Sequence, residues 1–525
     1  NSAQRRNEVE KERLGGVFSF FGEDSWQATS KLTFNYGLRY DITIPPPFGT
    51  LSTVGQQGGI QTGDMDFNNG TYILNFPAPP CGATVFAPCI PGGPALPANV
   101  VQLGSGTKMQ ATHYNNLGPR IGVSYRLDDK TVVHAGFGIV YDNWGVNFQM
   151  SQNLTGGWPG IGNQIAANLN QPTASSPTPT VMAQNPFAAG GNTNLYPSAT
   201  PFTEINTYYD PHFKNPYSEQ WVLGFERQLN QSTTATLNYV GSVSKDLDVG
   251  GYYNTALTPG PGDPQSRNIY NYIVPTPYDR SVGYSNYNAL QVSLDKRYST
   301  GVGFQVAYTW SKTMDAGTDG WFGGGYPQDP YSPGAYGSYS PAGYDVTNNL
   351  AVNTLYRVPV GRGQRFSTGR RWSDYILGNW QINNIFSAHS GLPYAVTISS
   401  DIANTGNGNT YESMDLVGNP HLPKPTPGEW FNTGAYAVPV GYTYGTSGRN
   451  SLRTEGSWDL DSSIFREFPI TGERIIQFRA EAFNLANHAV FGYPASDYND
   501  GTSFGTIDTT FSTPREIQLA VKFIF

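Results

Sequence analysis

Pro514-Arg-Glu-Ile-Gln-Leu-Ala-Val-Lys-Phe-Ile-Phe525 closes the chain and decides its fold class. In an extended strand Ile517, Leu519, Val521, Phe523 and Phe525 point one way, and Glu516, Gln518, Ala520, Lys522 and Ile524 point the other. A strand of about ten residues, apolar on one face and mostly polar on the other, is what a wall between lipid and a watery lumen requires.

The same period recurs upstream in pairs joined by short turns. Leu32, Phe34, Tyr36, Leu38 and Tyr40 alternate with Thr33, Asn35, Gly37 and Arg39, preceded by a segment at about 15–28 with Phe18, Phe20 and Trp26. Ile121 to Leu127 alternates likewise and returns past Asp128-Asp129 through Val133, Ala135, Phe137, Ile139 and Tyr141. Trp221-x-Leu223-x-Phe225 returns past Asn230 as Ala235, Leu237 and Tyr239. Leu290, Val292 and Leu294 turn at Ser299-Thr300-Gly301 into Val302 through Trp310. Leu350 to Val358 crosses a longer basic link, GRGQRFSTGRR, to Trp380, Ile382 and Phe386. Trp458, Leu460 and Ile464 turn at Thr471-Gly472 into Ile476 through Ala482.

Six hairpins and the terminal strand make thirteen strands. The remaining connections are long, at about 44–116, 144–215, 250–284, 315–343, 392–455 and 488–512. Strict alternation of short and long connections predicts an antiparallel transmembrane β-barrel portion with short periplasmic turns and long extracellular loops. A soluble sandwich has no reason to keep its long loops at one end. Bacterial barrels close on an even number of strands, so thirteen leads us to expect that further strands precede them, with NSAQRRNEVEKERLGG as the tail of an extracellular loop.

Composition agrees with a barrel without proving one. Charged residues make up 13% and aromatics 14%, with 61 Gly and 39 Pro, a mixture rich in turns and strands. The net charge of −8 speaks against nucleic acid as a partner. No apolar run is long enough for a transmembrane helix, and a mean hydropathy of −0.41 is what alternation produces in a barrel wall as well as in a secreted β protein.

Several stretches resemble one family. GVFSFFGEDSWQATSKLTFNYGLRYD, FRAEAFNLANHAVFGYPASD and SFGTIDTTFSTPREIQLAVKFIF resemble, as an ordered set, the C-terminal barrel of TonB-dependent receptors, and within them the Oar-like subgroup. The resemblance runs from residue 15 to 525 and makes 1–525 part of one barrel. Family members close about twenty-two strands around an N-terminal plug. Neither the plug nor the segment that touches the TonB energy complex has a counterpart in these residues, and about nine strands would be missing. The resemblance implies a receptor that captures an unknown solute with its extracellular loops and passes it through a plug-gated lumen. It also implies outer-membrane lipid, the TonB complex and the barrel-assembly machinery as partners, with Phe523 and Phe525 as the C-terminal assembly signal.

Candidate site residues follow from the strand pattern. Arg120, Arg126, Glu226, Arg357, Gln477, Arg479 and Glu481 are expected in the lumen, where they either line a solute path or satisfy one another and water. The loop aromatics Trp321, Phe322, Tyr326, Tyr331, Tyr336 and Tyr339, on a Gly-rich backbone, suit stacking on a solute or packing loop on loop. Trp26, Trp221, Trp310, Trp380 and Trp458 suit the wall or its girdles. In an oxidising compartment Cys81 and Cys89 would form a local disulfide. Asp401 and Glu412 bracket a partial calcium-loop pattern with Ala403 and Thr405 where Asp or Asn is needed and no flanking helices, so a calcium site there is the weaker reading beside an ordinary Asn/Gly-rich surface loop.

Enzymatic chemistry finds no footing. The six histidines are scattered, and G-x-S-x-G, G-x-G-x-x-G, P-loop and H-E-x-x-H patterns are missing from the sequence, so no cofactor is expected. Two rival readings remain: an adhesive or structural outer-membrane barrel without transport, and a secreted carbohydrate-binding β protein whose strands carry no continuous lipid-facing band.

Overall fold

The computed structural model describes residues 2–6, 16–45, 63–74, 95–103, 110–143, 158, 163–167, 200–203, 207–316, 328–332, 334–335, 338–361, 364–366, 369–408, 411–470 and 474–525. Thirteen strands form one continuous antiparallel path. They are β1 (Gly16–Gln27), β2 (Leu32–Ile44), β3 (His113–Asp128), β4 (Thr131–Tyr141), β5 (Tyr217–Asn230), β6 (Thr233–Tyr253) and β7 (Thr276–Ser299). The path continues through β8 (Val302–Ala316), β9 (Asn348–Arg357), β10 (Gln381–His389), β11 (Ser457–Pro469), β12 (Ile475–Phe483) and β13 (Glu516–Ile524). Along this path each strand pairs with the next, so the thirteen segments legible by alternation are its thirteen strands; two short strands, Tyr208–Tyr209 and Tyr339–Pro341, join the same sheet off the path.

The short connections are built by local chemistry. In the β3–β4 turn Asp128 Oδ1 accepts from Lys130 N at 2.7 Å, and in the β5–β6 turn Asn230 Oδ1 accepts from Ser232 N at 2.9 Å. Thr300 and Gly301 join β7 to β8 with φ of 52° and 85°, the left-handed pair whose twist matches a two-residue hairpin. One short side differs from expectation. The basic link between β9 and β10 contains a helix, α1 (Arg371–Leu377), whose seven residues are too few to show a helical period in sequence.

Register fixes the two faces, because directly paired residues share a side of the sheet. Ile517, Leu519, Val521 and Phe523 pair with Ala482, Ala480, Phe478 and Ile476. The same face continues through Ile464, Phe386, Val352, Val306, Leu294, Leu237, Phe225, Val133, Tyr125 and Leu32. Trp26, Trp221, Trp310 and Trp458 lie on it too. Large side chains on this face are exposed or half-exposed rather than buried, as a lipid-facing wall must be.

The buried cores lie in the long connections. Met65, Phe67, Tyr72, Leu74, Val100, Trp158, Phe202, Tyr208, Ile273 and Tyr278 form one core, drawn from the β2–β3, β4–β5 and β6–β7 connections and the start of β7. A second core, within the β10–β11 connection, gathers Tyr394, Val396, Ile398, Met414, Phe431, Ala435, Tyr436 and Leu452, with Phe504 of the last loop against it. Loops expected at 250–284 are shorter than the sequence suggested, since β6 and β7 run on for 21 and 24 residues, well past the roughly ten that cross a bilayer. Their upper halves carry the first loop core.

Candidate functional site

The sheet's inner face is the row opposite Ile517 and Leu519. Arg120 pairs with Gly138, Arg126 with Val132, Glu226 with Thr236, Arg357 with Gln381, Arg479 with Ala520 and Glu481 with Gln518, all on that inner face. Their partners are mainly local. Arg479 Nη1 lies 3.1 Å from Glu481 Oε1 and its guanidinium sits over Phe465; Gln477 Nε2 donates to Glu467 Oε1 at 3.0 Å. Arg357 Nη2 donates to Asn379 Oδ1 at 2.8 Å, and Arg126 Nη2 to the Ser30 carbonyl at 3.2 Å. Half-exposed pairs of this kind hold side chains in place while contributing little stability.

Where this face meets the long loops at the end of the path, a cavity of about 680 Å³ opens between β10, β11, β12 and the last loop. His389, Asp459, Asp461 and Glu516 line it together with Phe483 and Phe511. The sequence reading missed this grouping, since its members come from five separate elements, β10, β11, β12, the last loop and β13. At its edge Trp458 stacks on His488 with ring centroids 4.3 Å apart.

The loop aromatics divide. Tyr331 is half-buried: its ring meets Tyr253 at 4.8 Å and its hydroxyl donates to the Thr255 carbonyl at 2.9 Å, so it packs loop on loop. Tyr339 pairs along β8 in a short strand, its ring 5.3 Å from Tyr284, and stays more open. Trp321, Phe322, Tyr326 and Tyr336 lie outside the described residues, as do Cys81 and Cys89.

Asp401 and Glu412 are spent on closing their own loop. Asp401 accepts from Thr405 N and Gly406 N at 2.9 and 2.8 Å, and Glu412 Oε2 accepts from Ile402 N and Ala403 N at 2.9 and 3.1 Å. Burial, with lesser contributions from the nearby Asp401, pushes the Glu412 carboxyl up to about 7. Asp64, fully buried in the first loop core, is likewise held well above the usual carboxylate range by burial. No group of three His, Cys, Asp or Glu fit to hold a metal ion occurs among the described residues.

Two ion pairs invisible to the sequence reading tie the large β10–β11 loop to the top of the wall. Arg449 bonds Asp315 at the end of β8, and Arg453 bonds Asp345 just before β9; both aspartates are fully buried. Asp345 Oδ1 also accepts from Thr313 N, at 2.6 Å. The loop is therefore fixed at a defined position over the sheet rather than free above it.

The solved structures similar to this chain include three outer-membrane proteins. The ferripyoverdine receptor of the Pseudomonas aeruginosa outer membrane, bound to ferripyoverdine, is 9% identical with a TM-score of 0.41, over 96% of this chain and 38% of that one. The ferric-catecholate import receptor Fiu of Escherichia coli K12 is 10% identical with a TM-score of 0.40, over 97% and 44%. The outer membrane transporter YddB of Escherichia coli is 9% identical with a TM-score of 0.43, over 96% and 53%. The chain thus spans about half or less of the length of each. No curated protein matches it in sequence. The family described as outer membrane beta barrel domain matches residues 1–518. With nearly the whole length matched and a sheet of two such faces, the chain belongs to the outer membrane beta barrel domain family, a family of bacterial outer-membrane proteins rather than of enzymes.

Proposed function

We propose that this chain is the C-terminal portion of a TonB-dependent receptor of the Oar-like kind, which captures a solute with its extracellular loops and passes it through a plug-gated lumen. The observation that carries the reading is the two-faced sheet. Its outer face is mainly apolar from β1 to β13, and its inner face presents Arg120, Arg126, Glu226, Arg357, Arg479 and Glu481. A polar inner wall is where a plug and a passing solute find hydrogen-bonding partners.

Among the described residues β1 and β13 pair on one side only. Lipid cannot satisfy an open edge, which supports a larger barrel of about twenty-two strands in the parent protein. In that setting Phe523 and Phe525, stacked at 5.9 Å, would be read by the barrel-assembly machinery, and the energy complex would act through the parent's plug. Tyr339, whose ring lies 5.3 Å from Tyr284 in the loop region beyond the wall, would be among the first contacts for solute.

The test is solute depletion. Cells that carry or lack the intact parent protein are grown in one complex medium, and the spent medium is compared by mass spectrometry with and without an uncoupler of the inner-membrane proton gradient. Depletion of a solute that needs both the protein and the gradient is expected. Cell aggregation or surface attachment that depends on the protein, with no such depletion, would favour the adhesive reading instead.

A further inference from the structure

The helix α1 stands on the outer, lipid-side face of the sheet, at the end where the short connections lie. Arg466 in β11 shows why. It pairs with Phe478, which pairs with Val521, so its side chain leaves the sheet on the same face as Leu519. A guanidinium there would face hydrocarbon, yet Arg466 is only 2% exposed. It donates to the carbonyls of Tyr375 and Ile376 at the C-terminal end of α1, where a cation suits the helix dipole. The rings of Phe468 and Tyr375 cover it at 4.4 and 5.6 Å, with Trp380 at 6.0 Å. Trp380 Nε1 adds a bond to the Ile376 carbonyl at 3.1 Å. A helix of seven residues does not persist by itself, so Arg466 and Trp380 hold it to the wall.

Held in this way, α1 turns Trp372, Tyr375, Ile376 and Leu377 outward, with Trp372 64% exposed, and Phe366 of the preceding turn is exposed beside Arg365. The link 358–380 carries four Arg against one Asp. Aromatic and aliphatic side chains continuous with the lipid-facing wall, rimmed by arginines, match the boundary of an anionic phospholipid leaflet.

We infer that α1, with the described residues Arg365, Phe366 and Arg370 before it, docks on the periplasmic leaflet of the outer membrane, with Trp372, Ile376 and Leu377 at the acyl boundary and Arg365 and Arg370 on headgroup phosphate. The inference rests on the outer-membrane placement of the sheet but not on solute transport. Arg466 acts as the pin that converts a periplasmic turn into a membrane-resting element.

The test places a single spin label on the full chain in nanodiscs of phosphatidylethanolamine and phosphatidylglycerol. Trp372→Cys, and separately Leu377→Cys, is made in a Cys81→Ser, Cys89→Ser background, with Leu519→Cys as the wall control. Collision with oxygen is compared with collision with a nickel chelate. Labels at 372 and 377 are expected to favour oxygen, as the control does. Arg365→Glu with Arg370→Glu is expected to shift them towards the nickel chelate, and Arg466→Gln to shift them further. Nickel access at both sites while Leu519→Cys favours oxygen overturns the inference alone. Nickel access at Leu519→Cys overturns the barrel placement itself. Exclusion of both reagents at 372 and 377 overturns it in favour of a second copy or a periplasmic protein as occupant. An unchanged profile after the double arginine reversal removes the phosphate contact.

Discussion

Glu412 carries a carboxyl whose charge is held off by its surroundings, and this makes a local structure depend on pH. Its pKa in the folded loop is about 7, above the ordinary value of 4.5. A raised value means that the folded loop holds the proton more tightly than the unfolded chain. The contribution is therefore complete below about pH 4.5, falls as pH rises towards 7, and is gone above it. The span corresponds to roughly 3 kcal/mol at most. Protease cleavage within 401–412 is expected to increase between pH 5 and pH 8. Glu412→Gln, which keeps the acceptor for Ile402 N and Ala403 N without the charge, is expected to flatten that profile and protect the loop at pH 8. Cleavage that stays equally pH-dependent in the variant would assign the effect to another group. The sequence showed Asp401 and Glu412 as a spacing only; that each closes on backbone N–H groups depends on how the loop folds back under the second core.

At the scale of the strand, the alternation of β13 makes neighbouring positions inequivalent. Leu519 faces outward and Gln518 inward, one residue apart. Leu519→Arg is expected to cost about 2–4 kcal/mol near the bilayer midplane, and Gln518→Arg far less, because the lumen wall already accommodates Arg479 and Lys522. Urea unfolding of the two variants in lipid, compared with the parent sequence, measures the difference; equal losses would mean that the faces are assigned wrongly. All thirteen strands were legible because a lipid-facing wall imposes strict period two over most of its length. The helix α1 was not, since its formation depends on Arg466, about ninety residues away in sequence, and no local pattern announces a partner at that distance.

For the whole molecule, the usual relation between core and surface is inverted. The wall exposes its large apolar side chains, and the buried aromatic cores lie in the loops. Tyr72, from the β2–β3 loop, meets Trp158 and Tyr208 of the β4–β5 loop edge to face, and its hydroxyl donates to the Trp158 carbonyl at 2.7 Å. Tyr72→Ala removes a side chain shared between loops and is expected to cost the cluster about 3–5 kcal/mol. Proteolysis should then appear together in 63–74, 200–209 and the β6–β7 connection, while 390–456, with its own core, stays protected. Cleavage confined to the β2–β3 loop would show that the loops fold separately. The sequence by itself determined the strands, their order, their two faces and the family they form, because each rests on local alternation and on turns of a few residues. Tertiary structure alone decided which loops share a core, which carboxylates are held above their ordinary range by burial, and where α1 rests on the wall. Those outcomes depend on contacts between residues tens to hundreds of positions apart, where burial and pairing are settled only once the chain has folded.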